Sequence, residues 1–254
     1  MVGDRQRQLN LATAGAWSVF ASHRAHLWSV VVGAARALPD PQRLCLLGAG
    51  NVNDVDLRKA LTVFEEVHLV DLDAEAMRGA LVRQGLEGDG RIVLRAGIDF
   101  RTARFDGESF AVVVSCCVLS QIIDGVVREL GPEDPRTMGV VLAERDGHLA
   151  NLVALTAPGG AAVLVTDFVS SDTAPGLSNR SDLREEHVAG LVAAGNFFTG
   201  CNPYVLQRAL QALPTVAAVA AASPWVWRIG LDRSYAVAAL VAHRTGQGGS
   251  LSSR

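Results

Sequence analysis

Leu44-Cys45-Leu46-Leu47-Gly48-Ala49-Gly50, followed by Val67-His68-Leu69-Val70-Asp71, decides how this chain reads. The first stretch is an apolar run that ends in a glycine turn. The second is an apolar run that ends in a carboxylate. With a helical segment between them, they predict two buried parallel strands with a nucleotide crevice at their carboxyl ends. Glycine at 48 and 50 permits a tight turn and close approach of a ligand where a Cβ would collide. Asp71, about twenty residues on, is placed to accept hydrogen bonds from ribose hydroxyls.

Working outward, residues 9–38 carry apolar side chains at helical spacing and predict one or two amphipathic helices, stopped by Leu38-Pro39-Asp40-Pro41. Strands are expected at 43–47, 67–71, 92–96, 110–115 and 161–167, and near 216–221 and 235–243. Between them, helices are expected from Asn53 or Asp54 to about Phe64, and over 74–84, 118–130, 137–156 and 203–213. Gly85 ends the second of these, and Ala157-Pro158-Gly159-Gly160 turns the chain into the fifth strand. Residues 169–200 read as a lid or substrate segment with a helix at 182–194. The division expected is a helical cap over 1–40, an α/β domain over 41–244, and a Gly/Ser-rich disordered tail over 245–254.

Composition narrows the function. The 254 residues are 49% hydrophobic with a net charge of −3, and Lys59 is the only lysine. No basic run marks a nucleic-acid partner, and no apolar run reaches the length of a membrane span. Thr215 to Trp227 is short and broken by Pro224. The four cysteines, Cys45, Cys116, Cys117 and Cys201, show no CxxC spacing, so no metal site is expected. A reduced, cytoplasmic setting fits.

Two cofactors compete for this crevice. A dinucleotide fingerprint wants a third glycine where this chain has Asn53, which counts against NAD. At this point the sequence resembles the class I S-adenosylmethionine-dependent methyltransferases over roughly residues 40–243. Leu46-Leu47-Gly48-Ala49-Gly50 is similar to their first motif and Val70-Asp71-Leu72-Asp73 to their second. Gly97-Ile98-Asp99, Val112-Val113-Val114-Ser115, Pro158-Gly159-Gly160, and Trp225-Val226-Trp227-Arg228 with Tyr235-Ala236-Val237-Ala238 follow in the family's order. The resemblance implies a Rossmann-like, seven-stranded, mostly parallel sheet with helices on both faces. One strand near the C-terminus is antiparallel, and an N-terminal helical cap precedes the sheet. It also implies S-adenosylmethionine as cofactor, held by Gly48, Ala49, Gly50, Asn51, Asn53, Asp71, Leu72, Ile98, Asp99, Ser115 and Cys116. Ser115-Cys116-Cys117-Val118 replaces the Asp/Asn-Pro-Pro-aromatic motif of many amino-group methylating enzymes, so a base or glutamine acceptor is disfavoured.

Methyl transfer from a sulfonium leans on alignment and desolvation, with a base needed only for a protonated acceptor. His187 in the 169–200 segment, Asp167 at the end of the fifth strand, and His23 on the N-terminal helix are the candidates. For His23, with His26, a solvated helix face is the commoner state, and for His148 a surface position. Cys116 and Cys117 should point oppositely along a strand, and with no histidine partner identifiable they read as non-nucleophilic. The expected function is methyl transfer to a small molecule, such as a specialised metabolite, or to a peptide. A non-catalytic methyltransferase-like binding protein and an NAD-dependent oxidoreductase are the alternatives.

Overall fold

The computed structural model describes residues 2–99, 105, 107–229 and 233–246, and of residues 2–5 the backbone alone. Phe100 and most of the expected tail, 247–254, lie outside the described residues. The helices are α1 (Val2–Thr13), α2 (Ala21–Arg36), α3 (Leu57–Ala60), α4 (Ala74–Gln84), α5 (Val118–Leu130), α6 (Thr137–Leu155), α7 (Glu185–Ala193) and α8 (Pro203–Gln211). The strands are β1 (Arg43–Leu47), β2 (Glu66–Asp71), β3 (Ile92–Ala96), β4 (Phe110–Cys116), β5 (Thr156–Ser170), β6 (Val216–Ala221), β7 (Trp225–Arg228) and β8 (Ser234–Arg244).

These strands form one sheet in the order β3-β2-β1-β4-β5-β8-β6, with β7 paired to β8. The first five run parallel. β8 runs antiparallel to β5, and β6 and β7 run antiparallel to β8. The seven-strand path with one reversed strand is therefore present, and β7 adds an eighth strand beside it. Side chains alternate across each strand. Leu44 and Leu46 join the face under α2 and α4, whereas Cys45 and Leu47 join the face under α5, α6 and α8.

Local signals explain most boundaries. Asp73 caps α4 by accepting from the Glu75 and Ala76 backbone N–H groups, and Gly85 ends it at φ 62°. The helix expected over 53–64 is instead the single turn α3, capped by Asp56. Residues 51–54 are tied elsewhere: the Asn53 amide donates to Thr13 O, Arg24 to Asn53 O, and Asp54 meets His23. Those bonds to the N-terminal helices hold the chain out of a helical path.

β5 starts at Thr156 rather than 161, because the Ala157–Gly160 turn is absorbed between two registers on β4. Gly160 is required there, since a Cβ would lie 2.6 Å from Ala111 O. A second register shift, between Asp167 and Val169, leaves Phe168 as an extra residue against β8. Such a bulge re-aims the side chains beside it.

Candidate active site

The glycine turn leaves β1 with Gly48 at φ 68° and Gly50 at φ 47°. The backbone N–H groups of Gly48 and Ala49 both donate to Val70 O, which ties the turn to β2. Asp71 completes the link: its Oδ2 accepts from Gly50 N–H at 2.8 Å and its Oδ1 from Asp73 N–H at 2.8 Å. Burial raises the Asp71 pKa, and these two backbone donors oppose that shift.

α1 lies across this turn. The Asn51 amide donates to Asn10 O and Thr13 Oγ1, and Asn10 Nδ2 donates to Asp73 Oδ2. A Cβ on Gly50 would stand 2.8 Å from Asn10 Oδ1. The two asparagines therefore act first as clamps on α1. Asn53 keeps one resource in reserve, since its Oδ1 is buried without a hydrogen-bond partner.

In front of the turn opens a cavity of about 760 Å³, well within the range of small-molecule sites. Gly48, Ala49, Gly50, Asn51, Asn53 and Cys116 line it from the β1 and β4 side. Asp167, Ser120, Phe198, Trp227 and Tyr235 line it as well. Asp71, Leu72, Ile98, Asp99 and Ser115 do not reach this cavity. Asp71 is fully buried beneath the turn. Ser115 faces the other way along β4, its hydroxyl 2.8 Å from His148 Nε2.

Of the catalytic candidates, Asp167 alone lines the cavity. Burial raises its pKa, with the Ser120 hydroxyl, which donates to Oδ1, acting against the shift. His187 stays on α7, where its ring lies 2.8 Å from an Arg180 guanidinium nitrogen and its Nδ1 accepts from Arg184 N–H. It braces the 169–200 segment and does not line the cavity. Phe197, Phe198 and Thr199, which follow α7, are that segment's contribution to the wall.

His23 is buried, not on a solvated face. Its ring stacks on Trp227 at 4.4 Å, its Nδ1 accepts from Trp225 Nε1–H, and its Nε2 lies 3.4 Å from Cys116 Sγ and 3.2 Å from Asp54 Oδ1. It stands behind the cavity wall. His148 is buried as well, and burial lowers its pKa to about 4. Trp225 and Trp227, which hold His23 in place, carry no polar pattern that sequence could have tied to a helix some 200 residues earlier.

No protein-family model matches the sequence, and no curated protein sequence matches it. Solved structures do. The N-methyltransferase NodS from Bradyrhizobium japonicum WM9, in complex with S-adenosyl-L-homocysteine, superposes with a TM-score of 0.50 at 13% identity, over 89% of this chain and 87% of that one. An O-methyltransferase family protein from Burkholderia thailandensis gives 0.51 at 15% identity, over 96% of this chain and 60% of that one. The chain spans half the length of CalS10, an amino pentose methyltransferase from Micromonospora echinaspora, at 27% identity over 57% of this chain with a TM-score of 0.39. The first two likenesses show that this chain shares the fold of those two methyltransferase structures.

Proposed function

We propose that this protein binds S-adenosylmethionine and transfers its methyl group to a small-molecule or peptide acceptor. One observation carries the reading: the Gly48–Gly50 turn, the end of β4, a buried carboxylate and aromatic rings line one and the same cavity. The cofactor would supply a methyl group on a sulfonium, ready for in-line displacement.

This chain's residues fit the methionine half of that cofactor. The Gly48-Ala49-Gly50 backbone clears its path, and the unpartnered Asn53 Oδ1 is an acceptor for its ammonium group. For the nucleoside half we assign Asp71 to the ribose, and Leu72, Ile98 and Asp99 to the adenine side. α1 must lift for that half to reach Asp71, because Asn10 lies over the turn. Asp167 is the base we favour for a protonated acceptor, since burial raises its proton affinity and Ser120 orients it. The reversed strand β8 speaks against the NAD alternative, whose fold continues in parallel through the corresponding position.

The four free cysteines support a reducing, cytoplasmic setting. Among the described residues no helix is long and apolar enough to cross a membrane. Titration calorimetry with S-adenosylhomocysteine tests the function. We expect saturable binding, weakened by about tenfold or more in Asp71→Asn, the loss of one charge-assisted contact. Binding of NAD with no heat from S-adenosylhomocysteine overturns the proposal.

A further inference from the structure

Cys116 is the last residue of β4, and Cys117, which follows it, leaves the strand. Cys117 turns into the left-handed region at φ 54°, a conformation that a non-glycine residue rarely adopts. The turn cancels the strand alternation and brings both sulfurs to one side. His23 Nε2, Cys116 Sγ and Cys117 Sγ all lie within 4.8 Å of one another. Both cysteines line the cavity, and Cys116 is the more exposed of the two.

Three such atoms are close enough for a thiophilic metal ion, but the second nitrogen of the histidine decides otherwise. A metal-bound imidazole donates its other N–H outward. Here Nδ1 accepts from the indole N–H of Trp225 at 3.1 Å, so the ring proton belongs on Nε2, facing Cys116 and Asp54. Nε2 is therefore a hydrogen-bond donor to sulfur and carboxylate. Against the burial that disfavours its charge, Cys116 and Asp54 raise the His23 pKa to about 10, yet a cationic ring would set a second N–H against that of Trp225, and the indole donor decides for the neutral form. His23 is the partner that sequence could not supply to the cysteine pair.

We infer that Cys116 and Cys117 form a peroxide-reactive dithiol in the cavity wall, Cys116 attacking and Cys117 resolving. The Cys116 thiolate attacks one peroxide oxygen and the O–O bond breaks. Sulfenic acid forms on Cys116, and the departing hydroxide takes a proton to become water. The Cys117 thiol sulfur then attacks the sulfenic sulfur, the S–O bond breaks, and the thiol proton leaves with the hydroxyl as a second water. Two electrons pass from the thiols to the peroxide.

The surroundings suit each step. The hydrogen bond from the Cys117 thiol lowers the Cys116 pKa, and the hydrogen bond from His23 Nε2–H assists, against burial and the Asp54 charge. Being that donor, together with burial, keeps Cys117 protonated as a resolving thiol. Asp167, in hydrogen-bond contact with Cys117, is placed to relay that thiol proton to the departing hydroxyl. A bridge between neighbours is strained, because adjacent Cα atoms are about 3.8 Å apart, closer than disulfides prefer. It should therefore be reduced easily. This inference is independent of the methyl-transfer reading.

The test treats the folded protein with hydrogen peroxide and follows intact mass and peptide maps. We expect a loss of about 2 Da, the two thiol protons, confined to the Cys116–Cys117 peptide and reversed by dithiothreitol. In Cys117→Ser the sulfenic acid should persist on Cys116 and be trapped by dimedone. Cys45 and Cys201, buried and with raised pKa values, should stay unmodified. An unchanged mass in the folded protein, with oxidation only after denaturation, overturns the inference. So does stoichiometric zinc that is released by the Cys116→Ser and Cys117→Ser exchanges.

Discussion

Burial holds the His148 ring neutral beside Ser115, with its pKa lowered from 6.5 to about 4. In the unfolded chain the ring takes a proton near pH 6.5, so below that value the unfolded state gains protons the folded state refuses. The share of stability linked to His148 is whole above pH 6.5 and falls as pH drops toward 4, by about 3 kcal/mol over that interval. Urea titrations at pH 7.5 and 4.5 should show this loss, and His148→Gln should reduce it. Gly50 carries a second residue-scale prediction. Alanine there would occupy φ 47° and press on Asn10 Oδ1. The conformation alone costs about 1–2 kcal/mol, and the asparagine must also withdraw. A melting temperature lower by several degrees is expected, whereas Gly147→Ala, inside α6 with open space around it, should raise it slightly, since alanine favours a helix interior over glycine by about 1 kcal/mol.

At the scale of elements, α1 is the one held least by apolar contact. Leu9 and Leu11 are exposed, and Asn10 is its one fully buried described side chain. What fixes it is polar: Asn10 on Asp73, Asn51 and Asn53 on the α1 carbonyls, and an exposed Arg7–Glu75 pair. Exposed pairs of that kind add little. Stopped-flow binding of S-adenosylhomocysteine should therefore be faster in Asn10→Ala, by about threefold to tenfold if opening α1 limits entry and costs about one hydrogen bond less. An unchanged rate would mean that α1 does not gate Asp71. The same element shows where sequence reading stops. β1, β3, α4 and α5 were legible to the residue, because apolar runs, Asp73 and Gly85 are local signals. The loss of a long helix after β1 was not, because Asn53 and Asp54 look like caps yet bond to Thr13 and His23. In the site, the glycine turn was legible and its wall of the cavity followed. The burial of Asp71 and the meeting of His23 with Cys116 depend on chain segments far apart in sequence, which no periodicity encodes.

For the molecule as a whole, these differences imply a steep internal gradient of stability. The central strands β1, β4 and β5 are covered on both faces by apolar side chains, with Leu44, Leu46 and Val114 on one side and Leu47, Val113 and Leu164 on the other. Opening any of them exposes both cores at once, so their amides should exchange only through global unfolding. α1 opens by breaking a handful of side-chain hydrogen bonds, each worth about 1 kcal/mol net, and exposes almost no apolar surface. Native-state hydrogen exchange read by mass spectrometry should find α1 amides exchanging at least about a hundredfold faster than those of β4, a gap of roughly 3 kcal/mol. The gap should be wider in Asn10→Ala, which loosens α1 and leaves the sheet untouched. Equal protection of α1 and β4 would mean that the N-terminal helix belongs to the cooperative core. In that case the nucleoside half of the site would be sealed at neutral pH, and the chain could not admit the cofactor its fold suggests without unfolding.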